Sequence, residues 1–331
     1  MDSATSAAED AMSSDEGDAV ADSDNGTESQ GNTAPDVSAA PAKPATPAEI
    51  VASIATLPKR ELNDSKLEQL IGLGPALEQL TELDLAGAPV GPKGLHAIGH
   101  LTALTKLSLR GLKVQPQAMA PLANLTKLES LDLSDSSFGD AAAPFLQPLT
   151  SLRELSLVGT PITDETFRGL TEMNQLDTLN VSRTQVYGSG LQVLKSCPIR
   201  VLKANETQFG QQGFKYVKRL QNLEVLEVHN AWVSNEALQG VKSCKGLKEL
   251  AIGGNPNLVN DGIKCLRSLK KLEKLSLSGN KAISDKGLRF AIDLKNLKEL
   301  DVNETGCSPL AAKQLKEKLP ETNILWRGQT L

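Results

Sequence analysis

A chain of 331 residues with 40% apolar side chains and a net charge of −5 has room for one large domain or two small ones, an ordinary soluble composition. Aromatic residues make up only 3%, so any core must be built from aliphatic layers. No run of about 18 apolar residues occurs, which excludes a membrane-spanning helix, and the opening MDSATSAAEDAMSSDEGD has neither the basic nor the apolar block of a signal peptide.

Residues 1–47 carry ten acidic side chains and one basic one, Lys43, among Ser, Ala, Gly and Thr. Such a segment cannot bury enough apolar area to offset its ordering entropy, so a disordered acidic tail is expected. Its net −9 leaves about +4 of the total to the remainder, so tail and body have opposite signs. It reads as a solvated spacer, with a tether or electrostatic cover as the functional alternative. Its composition also resembles the stretch that follows the lipidated cysteine of bacterial lipoproteins. Under that reading a signal upstream of Met1 has been removed and the protein is secreted or lipid-anchored; as written the chain is soluble and unaddressed.

Residues 48–79 have helical apolar spacing and no LxxLxL, and are expected to form a helical N-terminal cap. From residue 80 the chain restates one pattern: an apolar residue, two residues, Leu, one residue, an apolar residue, two residues, then Thr, Asn or a small residue. Its register marks are Leu80, Leu104, Leu128, Leu152, Leu176, Ile199, Leu223, Leu247, Leu272 and Leu297, at intervals of 23–25 residues. Within one copy, alternation puts Leu155 and Leu157 on one face and Glu154, Ser156 and Val158 on the other, a short strand with one buried side. Thr160 follows, with its equivalents Thr184, Thr207, Asn255, Asn280 and Thr305, whose short polar side chains suit turn backbone. Thr163, Ser234 and Ser284 stand as helix N-caps, and Leu288 and Ile292 exemplify the apolar stripe behind them.

A copy offers about seven apolar side chains at roughly 2 kcal/mol each, against about 1.5 kcal/mol of ordering entropy for each of its residues. One copy alone cannot fold. Stacking pairs the strands in a parallel sheet and buries the aliphatic layers continuously, as a solenoid requires. SPLAAKQLKEKLPETNILW then predicts a C-terminal cap from about residue 308: a helix, a Pro stop and a last strand covering the open sheet edge.

These copies resemble the leucine-rich repeats of the ribonuclease-inhibitor-like or cysteine-containing group, in the bacterial form LxxLxLxxTxITDxGLxxLxxL. TPITDETFRGL, NKAISDKGLRFAIDL and LVNDGIKCLRSL carry the resemblance, which covers about 250 residues. It implies an α/β right-handed horseshoe of about ten repeats, a parallel sheet on the concave face and helices on the convex face. It also implies non-catalytic protein recognition. It places Cys197 and Cys244 in the last apolar slot of a repeat, where Leu101, Leu125 and Leu220 stand elsewhere. With no CxxC among Cys197, Cys244, Cys265 and Cys307, all four read as reduced core residues. No F-box-like segment precedes the repeats, and no glycosidase, kinase or protease motif is attached.

Little else suggests chemistry. His96 and His100 are four apart on an expected helix, a metal-compatible spacing, but no HExxH glutamate lies between them. His229 is repeats away, so no catalytic set is proposed from three histidines. Glycines form neither GxGxxG nor a P-loop. No cofactor and no metal are expected.

The exposed strand positions include Glu82, Asp84, Lys106, Asp132, Glu154, Asn180, Lys203, Asn205, Glu227, His229, Glu249, Lys274, Glu299 and Asp301, a mainly acidic set. Such a face is unsuited to nucleic acid, and a protein or peptide partner fits better. Exposed aromatics anchor interfaces, and Trp232 and Tyr187 are the candidates, with Asn180, Lys203, Asn205, Glu227 and His229 around them. Residues 240–320 form a second, basic region in which Lys245, Lys270, Lys271 and Lys295 recur before strands, on a solvated face or one that docks an acidic surface. The leading reading is a monomeric recognition scaffold; the alternative is a structural or envelope-associated spacer.

Overall fold

The computed structural model describes residues 45–331, so the expected tail lies outside the described residues except at its last positions. There a helix begins at Pro47, inside the 1–47 boundary. Thr46 caps it with a reciprocal pair: Glu49 N donates to Thr46 Oγ1 (3.3 Å) and Thr46 N to Glu49 Oε2 (2.7 Å). Val51 and Ile54 of this helix, with Leu62, Leu67 and Leu70 beyond it, are buried. The short helix Asp64–Glu68 packs on the helix Pro92–Ile98 of the first repeat, and Asp64 Oδ1 accepts from Gly91 N (2.6 Å).

Ten strands follow in chain order: β1 Glu82–Asp84, β2 Lys106–Ser108, β3 Ser130–Asp132, β4 Glu154–Ser156, β5 Thr178–Asn180, β6 Val201–Lys203, β7 Val225–Glu227, β8 Glu249–Ala251, β9 Lys274–Ser276 and β10 Glu299–Asp301. Each pairs in parallel with the next, the arrangement of a right-handed horseshoe. The central leucines, Leu83 through Leu300, are stacked in register and buried in one row. A second buried row, Leu85, Leu109, Leu133, Leu157, Val181, Ala204, Val228, Ile252, Leu277 and Val302, lies behind the strand ends.

The strands stop after three residues for a visible reason. Seven residues beyond each register mark the backbone is left-handed, at Gly87, Gly111, Asp135, Gly159, Arg183, Glu206, Asn230, Gly254, Gly279 and Glu304. One position later seven of the ten repeats place a polar side chain that closes the turn, while Ala88, Leu112 and Ala231 stand there in the others. Thr184 and Thr207 donate to Val181 O (2.5 Å) and Ala204 O (2.7 Å). Asn255, fully buried, accepts from Ala231 N (3.0 Å) and Val233 N (2.9 Å) and donates to Val228 O, Ile252 O and Gly253 O.

The convex side is mostly 3₁₀ turns, such as Pro116–Asn124, Asp140–Leu146, Asp164–Leu170 and Gly262–Ser268, with α-helices at Pro92–Ile98 and Gly210–Val217 and single α-turns at Asn235–Leu238 and Asp285–Leu288 among the repeats. A short return segment covers more length per residue as 3₁₀ (about 2.0 Å) than as α (about 1.5 Å), and Pro121 and Pro144 remove donors inside two of these turns. Thr163 and Ser234 cap as expected, accepting from Glu165 N and Ala237 N (3.2 Å each). Ser284 occupies the cap position without making the bond. Asn260 of the preceding repeat engages both its N–H and its hydroxyl at 2.9 Å instead. Ile292 is half-buried rather than a core member.

That Asn260 contact belongs to a column of acids and amides tying each turn to the next. Asp140 holds Thr163 N, Thr163 Oγ1 and Thr166 Oγ1 at 2.6–2.9 Å, and Asp285 holds Ser308 N and Ser308 Oγ at 2.7–2.8 Å. Burial opposes the charged form of Asp140, but the Thr166 and Thr163 bonds outweigh it and keep its carboxyl below the usual range. The Ser308 bonds do the same for Asp285.

The cysteines are free and buried, and burial pushes the Cys197, Cys244 and Cys265 thiols up to about 11. At the end, Ser308 caps the helix Pro309–Lys318, and β11 Asn323–Trp326 pairs in parallel with β10. The chain then turns at Arg327 and Gly328, both left-handed, and lays β12 Gln329–Thr330 antiparallel on β11. The covered edge is thus a small hairpin, one strand more than the sequence suggested. Trp326 Nε1 donates to Cys307 O (3.1 Å), which fixes it.

Candidate functional site

Strands β5, β6 and β7 bring Asn180, Lys203 and Glu227 side by side as register partners on the concave face. The Lys203 ammonium lies 2.8 Å from Glu227 Oε1, and Asn205 Nδ2 donates to Glu227 Oε2 at 3.1 Å, so one carboxylate serves two donors. Two residues further along each strand a second ladder crosses the same repeats. Ser182 Oγ accepts from Asn205 N (3.1 Å), Asn205 Oδ1 from His229 N (2.8 Å), and His229 Nδ1 from Gly253 N (3.1 Å). An Nδ1 that accepts is unprotonated, so the neutral His229 ring carries its proton on Nε2. Asn180 Oδ1 accepts from Ser182 N (3.1 Å) in its own turn. The five polar candidates are therefore brought together, and each already serves the scaffold while keeping part of its polar surface outward.

Trp232 and Tyr187 behave differently. Trp232 is 65% exposed and Tyr187 48%, the most exposed aromatic side chains among the described residues. They sit on turns leaving β7 and β5, not at equivalent repeat positions. The intervening turn links them: Gln208 N donates to Val186 O (3.1 Å), and Gly210 N to Ala231 O (2.8 Å). Trp232 itself has φ +57°.

Sequence reading missed the left-handed column at this edge. Arg183, Glu206 and Asn230 occupy it in three consecutive repeats, where five other repeats place glycine. Their signal was present, since a glycine recurs seven residues after the mark. Asp135 of the same column reaches across Gly159 to Arg183 Nη2 (2.8 Å) while accepting from Arg110 Nη2 (2.9 Å). Gly159 permits this: a Cβ there would lie 2.5 Å from Asp135 Oδ1.

The opposite edge, where the chain enters each strand, has its own charge order. The residue after each register mark reads Glu129, Arg153, Asp177, Arg200, Glu224, Lys248, Glu273 and Lys298, alternating in sign over eight repeats. Arg200 bridges Asp177 (3.2 Å) and Glu224 (3.1 Å), Lys248 adds a second cation to Glu224 (2.9 Å), and Lys298 meets Glu273 (2.5 Å). Hydrogen bonds from Arg200 and Lys248 hold the Glu224 carboxyl down at about 2. This row neutralises itself. On the convex side, His96 and His100 are both exposed with ring centroids 5.1 Å apart, edge to face. No group of three or more potential metal ligands occurs among the described residues. Among the described residues no helix is long and apolar enough to cross a membrane.

A Leucine Rich repeat family model matches residues 79–99 and 268–290. Among solved structures, the TLR13–ssRNA13 complex aligns at 20% identity with a TM-score of 0.55, over 76% of this chain and 40% of that one. The mouse RP105/MD-1 complex aligns at 20% identity and 0.52, over 73% and 45%. An internalin (InlF) of Listeria monocytogenes aligns at 20% identity and 0.41, over 83% and 96%. This chain thus spans less than half of the first two, and likeness at that identity concerns the fold alone. Comparison with curated proteins gives no match.

Proposed function

We propose that this chain, a leucine-rich-repeat protein by its repeats and its fold, recognises a protein or peptide partner. The site is the edge of the concave sheet at repeats five to seven, with Trp232 and Tyr187 as anchors. Asn180, Lys203, Asn205, Glu227 and His229 supply a polar rim. The observation that carries this reading is local strain beside exposed aromatic surface. Of the seven non-glycine left-handed residues among those described, four fall from Arg183 to Trp232. A left-handed residue with a side chain costs about 1–2 kcal/mol, and such strain concentrates where a function requires the side chain. Arg183 recovers some of this through Asp135, but Glu206 and Trp232 are exposed and make no such contact among the described residues.

The structural neighbours were solved with an RNA in one case and with MD-1 in the other. For this chain the charge balance favours protein. Glu82, Asp84, Asp132, Glu154, Glu249, Glu299 and Asp301 line the strand face, and Lys106, Lys203 and Lys274 each pair with a neighbouring carboxylate. A phosphate backbone needs free cations there.

The test is affinity capture from extracts of the source organism with the full chain and with a Tyr187→Ala/Trp232→Ala variant, each with and without ribonuclease. A protein retained by the first, lost by the second and indifferent to ribonuclease is expected. Equal retention by both, or release by ribonuclease, would sink the reading.

A further inference from the structure

The entry edge of the sheet carries a second column of charge beside the self-neutralised row. Two residues before the register mark stand Thr150, Asn174 and Gln221 in earlier repeats, then Lys245, Lys270 and Lys295 in three successive ones. Lys271 adjoins Lys270, and Lys242 lies on the 3₁₀ segment Gln239–Ser243 that ends just before Lys245. All five are exposed. Among the described residues none of them lies within ion-pair distance of a carboxylate. Lys245 and Lys270 Nζ reach only the main-chain oxygens of Ser268 (3.4 Å) and Asp293 (3.2 Å), and the Asp293 carboxylate is taken by Arg267 at 2.7 Å. Alternating charges leave the neighbouring row balanced, so the potential of this edge is set by the unpaired column.

We propose that this lysine column docks an acidic polypeptide segment of a partner, a run of Asp and Glu side chains. Successive turns stack about 4.8 Å apart at the sheet. Carboxylates four apart on a helix, about 5–6 Å between Cβ atoms, or on alternate residues of a strand, about 6.6 Å, match that spacing within the reach of a lysine side chain. The cations are ammonium point charges, without the bidentate fork that phosphate recognition favours. A single-stranded nucleic acid would also need stacking platforms, and the exposed aromatics Tyr187 and Trp232 lie past the other ends of the strands. An anionic membrane would need apolar side chains to enter it, whereas Cys244, Leu269 and Leu294, interleaved with the lysines, are all buried. This surface is separate from the aromatic edge, and its test is independent of that reading.

The experiment titrates the full chain with a fluorescent oligo-aspartate at several salt concentrations. A Lys245→Gln/Lys270→Gln/Lys295→Gln variant is compared with a Lys93→Gln/Lys215→Gln/Lys218→Gln variant that removes equal charge from exposed convex positions. Circular dichroism checks that both fold. The column variant is expected to weaken binding about tenfold and flatten its salt dependence, while the control stays near wild type. The proposal is overturned if the two variants weaken equally or if the oligo-aspartate does not bind. It is also overturned if single-stranded RNA or anionic vesicles bind through these lysines more tightly than the peptide does.

Discussion

Removing the Asn255 side chain tests how the turns are held together. In Asn255→Ala, the N–H groups of Ala231 and Val233 lose their acceptor inside a fully buried site. The carbonyls fare better: Ile252 O keeps a bond from Asn280 Nδ2, Gly253 O keeps one from Asn230 N, and Val228 O loses its side-chain donor. An unsatisfied buried donor costs about 1–3 kcal/mol, so two of them with a small cavity should destabilise by about 3–5 kcal/mol. Thr160→Val provides the scale, because it removes a single hydroxyl bond to Leu157 O and keeps the shape, for about 1 kcal/mol. Urea unfolding followed by far-ultraviolet circular dichroism measures both, with unchanged m-values as the check on cooperative unfolding. Asn255→Asp adds a third comparison: it retains an acceptor but turns a second carboxylate oxygen toward three carbonyls, and should cost at least as much as the alanine. If Asn255→Ala costs no more than Thr160→Val, the turns are held by aliphatic packing and the amide ladder is incidental.

Four further outcomes follow from the geometry. Glu206→Gly should stabilise the protein by about 1 kcal/mol in the same urea assay, since it relieves a left-handed residue with no partner among the described residues; destabilisation would refute the assignment of strain. Gly159→Ala should cost about 1–2 kcal/mol, because its Cβ collides with Asp135 Oδ1 at a φ of +66°, and adding Asp135→Ala should recover part of that loss. Glu224, Asp140 and Asp285 have folded values below their unfolded ones, so the stability they confer is complete above the unfolded carboxylate value near pH 4. It is lost as pH falls below that value, for Glu224 toward about 2, and Glu224→Gln should flatten that decline. The four thiols should resist alkylation at pH 8 in the folded protein and react fully in denaturant, which mass spectrometry of the labelled chain counts directly.

The fold was readable because stacking repeats a single physical problem. Each Leu at the strand centre faces the same neighbours, so the period of the apolar residues becomes the period of the sheet, and the register of ten strands follows from the marks at Leu80 through Leu297. The convex segments were less legible, since a short return path decides between α and 3₁₀ winding by the distance it must span, which the local sequence does not state. Ser284 shows a second limit. Its sequence position is that of an N-cap, but the competitor that takes its hydrogen bonds, Asn260, comes from the repeat before. Contacts at a separation of one repeat appear only when copies are laid over one another. The alternation from Glu129 to Lys298 is of this kind, as is the lysine column from Lys245 to Lys295: unremarkable within any copy, ordered between copies.

The candidate aromatic edge extends the same logic to function. In a solenoid every column has a cheapest occupant, and for the left-handed position that is glycine, as Gly87, Gly111, Gly159, Gly254 and Gly279 demonstrate within this chain. Departures from the cheapest occupant need a compensating interaction. Asp135 and Arg183 have theirs in each other. Glu206 of that column, and Trp232 two residues past the column in the next repeat, have exposed side chains and left-handed backbones, so the compensation for them should lie outside the chain. A bound partner should therefore protect Trp232 fluorescence from aqueous quenchers, and the Glu206→Gly gain in stability should come with weaker capture of that partner. Stability and capture that rise together in Glu206→Gly would assign the strain to no function at all.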